Sequence, residues 1–316
     1  DHRYLHSSPP RRSSDLVRDK VDFLIGTVHS GVAAAMVKVA SDNDTMLLIP
    51  NAGLEAATGP LCAPNIFRTS FSNWQPGFAM GKVAAARGQK RALVISWDYA
   101  AGKESTGGFK EGFESGGGKV ESELYLPFPQ VEFQPLLTQI AAAKPEVVYA
   151  FFAGGGAVSF VKDYHAAGLR KTIPLVGPGF LTDGTLQAQG EAAQGMETTL
   201  HYADGLDVPK DKTFRAAFKK ASGRDADVYA VQGYDTGQLL VAGLAAVKGD
   251  LGARKELVAA MEQAIIDSPR GKFTLSKSHN PVQDMYLRKV EGLENKYLSV
   301  AVKALSDPSR GCKMMA

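Results

Sequence analysis

The sequence predicts an α/β chain built on mostly parallel sheets. Three observations predict it. Short β-branched apolar runs alternate with amphipathic helical segments along most of the chain. The carboxyl ends of those runs are rich in glycine and polar residues. The third is composition: 316 residues, 44% hydrophobic and 22% charged, are ordinary for a globular protein and leave room for two lobes.

In chain order, strands are expected over 21–25, 46–49, 92–96, 120–126, 147–152, 173–176 and 198–202, each an apolar run too short for a helix. Between most of them, apolar residues recur at helical spacing over 32–41, 77–87, 106–115, 133–143 and 157–167, and again over 214–221. Two longer helices, 229–247 and 255–266, follow without an intervening strand, and 285–290 with 297–302 reads as a hairpin. The opening DHRYLHSSPPRRSSDL has no period and no apolar core of a signal peptide. Its Arg11 to Leu16 portion resembles the translated end of a sequencing adapter. Residues 1–16 are therefore expected to be a non-native leader, with a flexible basic arm as the competing reading.

Composition and motifs exclude several classes. A net charge of +3 with no dense basic patch gives no reason to expect a nucleic-acid partner. No stretch reaches about 18 uninterrupted apolar residues, so no membrane span is expected. Cys62 and Cys312 have neither CxxC nor metal-ligand spacing, and one disulfide or two unrelated thiols are both open. There is no G-x-S-x-G, P-loop or H-E-x-x-H motif. Gly154-Gly155-Gly156-Ala157-Val158-Ser159 is only a partial dinucleotide fingerprint, lacking the third glycine and a following acid. Neither catalysis nor a cofactor or metal is expected.

Parallel sheets present ligand loops at their carboxyl ends. Here those loops are His29-Ser30-Gly31, Asn51-Ala52-Gly53, Asp98 to Gly102, Phe152 to Gly156 and Gly177 to Leu181. A helix amino terminus offers unpaired N–H groups and a positive dipole end, so Ser30 and Gly31 suit a carboxylate without a cationic side chain. An ordinary N-cap is the competing reading for Ser30.

Phe23-Leu24-Ile25-Gly26 through Ser30-Gly31, then Ile49 to Gly53, Phe67-Arg68-Thr69-Ser70, Tyr99 to Gly102 and Gln232-Gly233-Tyr234-Asp235 together resemble the branched-chain amino-acid-type periplasmic substrate-binding proteins of ABC transporters. The resemblance implies a two-lobed type I periplasmic binding protein fold, with parallel sheets flanked by helices. It also implies a periplasmic location, a monomer, an ABC transporter permease as partner, and hinge closure on a small carboxylate ligand. The first lobe is expected over 17–124 and 227–284, the second over 125–226 and 285–316, with Glu123 to Pro127 crossing between them. The family's opening elements and signal peptide have no counterpart here, so the first lobe is expected to be incomplete at its N-terminus. Such a chain is expected to expose a sheet edge and to fold or bind poorly.

Carried across, the family's carboxylate contact falls on Ser30, its second contact on Asn51, Ala52 and Gly53, and its ligand-packing tyrosine on Tyr99. His29 and Gly31 flank the first contact. Across the cleft, Gly179 stands where an amino-acid receptor keeps an acid, and Ala153-Gly154 where a tyrosine is usual. A buried ammonium without a counter-charge is costly. An aromatic or keto acid is therefore expected over an α-amino acid, with Phe152 and Phe180 against its bulk. Asp235 completes the expected site. Alternatives stay open: Phe152 in the core, Asp235 as a cap, Asp183 swinging in as the missing acid. As whole-protein rivals, a cytoplasmic sensor of the same fold or a nucleotide-dependent enzyme also stand.

Overall fold

The computed structural model describes residues 20–315; the expected leader lies outside the described residues. Two sheets organise them. The smaller holds β1 (Phe23–Ile25), β2 (Met46–Ile49) and β3 (Ile66–Arg68), all parallel, in that order. Between them run α1 (Ser30–Asp42) and a single turn, α2 (Glu55–Thr58). The larger sheet follows from α3 (Trp74–Ala86), β4 (Arg91–Trp97), α4 (Ala100–Glu114), β5 (Lys119–Leu126), α5 (Gln134–Ala143), β6 (Val147–Phe151) and α6 (Gly154–Ala166). It continues through β7 (Leu175–Pro178), α7 (Leu186–Gln189), β8 (Glu197–Leu200) and α8 (Pro209–Ser222). The chain then runs through α9 (Val228–Ala246), α10 (Arg254–Glu262), β9 (Thr274–Leu275) and the long hairpin β10 (Pro281–Glu291) and β11 (Glu294–Leu305). The strand order is β11-β10-β8-β7-β6-β4-β5, parallel from β8 to β5 and antiparallel at β10 and β11.

Period-two alternation explains how each strand serves two cores. On β2, Leu47 and Ile49 pack with Ala33 and Val37 of α1, while Met46 and Leu48 pack with Leu239 of α9 and Met261 of α10. All four β2 side chains are buried, each worth roughly 1.5–3 kcal/mol of apolar transfer. On β6, Val148 and Ala150 join the core beneath α5 and α6, and Val147 and Tyr149 join Phe109 and Phe113 of α4.

The expected lobe boundary is corrected. β4 pairs with β5 on one side and with β6 on the other, so the first sheet ends at β3 and residues 69–73 carry the chain across. Glu123 to Pro127, the expected crossing, is the outer strand β5 and its exit. The reason is local: β3 is three residues long and ends on Arg68, leaving no run to read, and alternation shows which faces are apolar but not which sheet a strand joins. Helix α9 ties both parts, with Val231 packed among Leu200 and Tyr202 and Leu239 against Leu48 and Phe67. Helices α4 and α6 also start earlier than expected, because their glycine- and alanine-rich first turns carry no apolar period.

Where the chain passes between the sheets, buried polar side chains hold it. Arg270 donates from Nε to Asp235 Oδ2 at 2.8 Å and from Nη2 to the Thr69 carbonyl at 2.8 Å. Gln283 Nε2 donates to the Ser70 carbonyl at 2.7 Å. Gln75 Nε2 donates to the carbonyls of Pro281 and Leu305. Cys62 and Cys312 form a disulfide that links the segment after α2 to the C-terminal tail. No helix among the described residues is long and apolar enough to cross a membrane.

Candidate functional site

A cavity of about 490 Å³ lies between the two sheets and takes lining residues from both. From the smaller sheet come Val28, His29, Ser30, Asn51 and Gly53, and from the crossing Phe71 and Asn73. From the larger come Trp97, Tyr99, Ala101, Phe128, Pro129, Val131, Phe151, Phe180 and the run Ala153 to Gly156, with Tyr229 from α9. Among the described residues the lining holds no Lys, Arg, Asp or Glu.

Three helices begin at this cavity: α1 at Ser30, α4 at Ala100 behind Tyr99, and α6 at Gly154. Their first-turn N–H groups and dipoles make the site electropositive without a basic side chain. His29 caps α1, its Nδ1 accepting from Gly31 N–H at 3.1 Å. A ring nitrogen that accepts carries no proton, so the neutral ring keeps its proton on Nε2. That Nε2 is buried without a protein partner, on a ring that lines the cavity. Ser30 Oγ accepts from Asn73 Nδ2 at 3.3 Å, which leaves the hydroxyl proton free to donate. Asn51 is oriented from behind by its Nδ2–H bond to Gln232 Oε1 at 2.7 Å. Gln232 in turn meets His201, which stays neutral because it is fully buried and faced by Arg270 and Arg288.

The rest of the wall is aromatic. His29 stacks on Tyr99 at 5.3 Å, and Phe128 stands 5.1–5.3 Å from His29, Tyr99 and Trp97. Opposite, Phe71 and Phe180 pack at 5.0 Å, with Phe151 6.1 Å from Tyr99. Burial and the nearby Glu104 hold the Tyr99 phenol well above its ordinary pKa, so it remains a neutral donor. Gly156 is required by this wall: a Cβ there would fall 2.2 Å from the Trp97 ring.

Of the expected residues, the structure brings together His29, Ser30, Asn51, Gly53, Tyr99, Ala153, Gly154 and Phe180. Five others stand elsewhere. Gly31 gives its N–H to His29 rather than to the cavity. Ala52 is buried in the first-lobe core, its N–H bonded to the Thr27 carbonyl. Phe152 is fully buried against Trp97, Phe133 and Phe160, and the cavity residue is Phe151. One step along a strand reverses the face, which is why the two were interchanged. Gly179 packs on the Asp183–Arg288 ion pair, where a Cβ would meet Asp183 Oδ2 at 2.5 Å. Asp235 belongs to the crossing network with Arg270 and Ser268. Nor can Asp183 serve as the missing acid: Arg288 holds both its oxygens at 3.0 and 3.2 Å, and Asn295 donates to it at 2.9 Å.

Asn73, Phe71, Phe128, Phe151 and Tyr229 were not foreseen. In the wholly apolar run of β6 only the register separates Phe151 from Phe152; Phe71 and Asn73 lie on the crossing, Phe128 beyond β5 and Tyr229 on α9. Among the described residues no cluster of His, Cys, Asp or Glu has a metal-binding arrangement.

A family model described as periplasmic binding protein matches residues 11–296. The chain is 50% identical to a solved Rhodopseudomonas palustris ABC transporter solute-binding protein in complex with benzoate, with a TM-score of 0.90 over 95% of this chain and 83% of that one. A second R. palustris solute-binding protein, strain BisB5, in complex with 3,4-dihydroxybenzoic acid, is 32% identical with a TM-score of 0.85, covering 94% and 83%. Leu/Ile/Val-binding protein homolog 6 of Brucella melitensis is 30% identical over 283 residues, 87% of this chain and 71% of that protein. These are binding proteins of transporters rather than enzymes. With the two-sheet α/β architecture and a cavity between the sheets, the chain belongs to the periplasmic binding protein family.

Proposed function

We propose that this protein binds an aromatic monocarboxylate in the cleft and delivers it, outside the cytoplasm, to the permease of an ABC importer. One observation carries the reading. The cavity is walled by aromatic rings, opens onto three helix amino termini, and contains no acidic side chain. Its volume lies within the range of about 300–1,000 Å³ usual for small-molecule sites. The carboxylate would meet the Ser30 hydroxyl, His29 Nε2–H and the α1 amino terminus. The ring would lie between Tyr99 and Phe128 on one side and Phe71, Phe151 and Phe180 on the other. An α-amino acid would leave its ammonium group without a counter-charge.

Aromatic-acid complexes of the 50%- and 32%-identical relatives support the same ligand class. Contacts from both sheets give a ligand greater affinity for the closed cleft than for the open one, which is what hinge closure requires. The Cys62–Cys312 disulfide supports an oxidising compartment such as the periplasm. A cavity lined by one chain supports action as a monomer.

Calorimetric titration with benzoate, 4-hydroxybenzoate and leucine tests the reading. Saturable heat with an aromatic acid and none with leucine is expected; tight leucine binding with silence toward every aromatic acid would overturn it.

A further inference from the structure

Glu104 of α4 stands directly behind the carboxylate end of the cavity. Its Oε2 accepts from Asn73 Nδ2 at 2.7 Å, and the same nitrogen reaches Ser30 Oγ at 3.3 Å. Asn73 and Ser30 line the cavity and are buried, whereas Glu104 does not line it. One amide therefore separates the Glu104 carboxyl from the hydroxyl assigned to the ligand.

The groups around Glu104 do not neutralise it by contact. Glu55 of α2 gives it a backbone N–H, and its side chain adds a second carboxyl. Asp307, from the C-terminal segment, adds a third, with Oδ2 buried and unpartnered. Arg68 of β3 is the nearby buried cation, but its guanidinium is committed to Asn280 Oδ1, the Leu54 carbonyl and Thr58 Oγ1. Arg310 pairs with Glu111, and Lys103 with Asp98. Tyr99, at the start of α4, is neutral. Burial pushes the Glu104 carboxyl above its ordinary value, and burial together with Glu104 pushes Glu55 up to about 8.

We propose that the ligand carboxylate binds together with a proton, taken from solvent by the coupled Glu104–Glu55 pair across Asn73. This deepens the aromatic-acid reading and rests on it. An anion at Ser30 adds negative charge on the far side of one buried amide, where charges interact far more strongly than in water. Binding therefore favours the protonated pair, whose titration belongs to both carboxyls jointly. The sign follows. The pair binds its proton more tightly in the complex than in the free protein. Affinity is highest below the free-protein titration, falls as pH rises, and levels off above the titration of the complex. The fall is at most tenfold per pH unit for one proton. Glu104 is a positioning residue: it acts on the ligand through Asn73.

The test is calorimetry with benzoate from about pH 5 to about pH 9, spanning the carboxyl and histidine titrations, in buffers of contrasting ionisation enthalpy. The intact chain and E104Q are compared, each checked for cooperative unfolding, with benzamide as an uncharged probe. Expected are fractional proton uptake with benzoate, none with benzamide, and loss of both uptake and pH dependence in E104Q. Benzoate binding without proton uptake overturns this proposal alone. So does uptake that survives E104Q and disappears in H29Q, which makes His29 the acceptor. If the folded chain gives no heat with benzoate or any other aromatic acid, the ligand reading falls with it.

Discussion

Two cavities of similar size lie on this molecule and could hardly differ more in chemistry. The cleft between the sheets holds about 490 Å³ and, among the described residues, no charged side chain. A second, of about 610 Å³, is lined by Asp183, Asp204, Arg215, Asp225, Asp227, Arg288 and Glu294. Most of these charges already have partners: Arg288 holds Asp183, Arg215 holds Asp204, Lys219 holds Asp225, and Asp227 caps α9. Side-chain charge in the second cavity is spent on partners within the fold, while the proposed ligand site offers backbone dipoles and neutral donors. A cavity crowded with charges can be satisfied internally; an uncharged one with unpartnered donors is the better candidate for a ligand.

The contrast can be broken at either end. Arg288→Met should have the largest effect, because it leaves Asp183 buried without its cation. A loss of about 3–5 kcal/mol in unfolding free energy is expected by chemical denaturation, with benzoate affinity of the folded fraction kept. Ser30→Ala should do the reverse. Affinity for an aromatic acid should fall by about 1.5–3 kcal/mol, roughly 10- to 150-fold by calorimetry, because a hydrogen bond to a charged group is lost. Its melting temperature should stay close to that of the parent. Ala153→Asp places an acid in the uncharged cleft; aromatic-acid affinity should drop about tenfold or more, with leucine binding gained. If leucine stays silent, the missing acid is not what excludes amino acids.

The smallest effect concerns Glu55, whose carboxyl is raised by burial and by Glu104 from 4.5 to about 8. A raised carboxyl pKa means the folded chain holds a proton that the unfolded chain has released. Stability should therefore fall as pH rises from about 4.5 through about 8. With solvent screening the amount is on the order of 1 kcal/mol. Glu55→Gln should flatten that slope in melts taken across the range, and an unchanged slope would assign it to other groups.

Much of the fold was legible because its signals are local. The short apolar runs of β2 and β6 and helical periodicity in α5 mark where elements lie. Glycine-rich turns at Ser30, Tyr99 and Gly154 mark the strand ends that face the cleft. Eight residues of the cavity could be named this way. Others could not. Phe151 and Phe152 are equally apolar neighbours, and only the register of β6 in its sheet decides which one faces the cleft.

The sequence by itself determined an alternating α/β chain, the family resemblance, and a cleft short of acids, since each depends on residue identity and short-range spacing. Only the tertiary structure decided that β4 joins the larger sheet, that Asp235 and Asp183 are held by Arg270 and Arg288, and that Glu104 stands behind Asn73. Those are partnerships between residues as far apart as 105 positions, and a buried charge shows its role only when its partner is known.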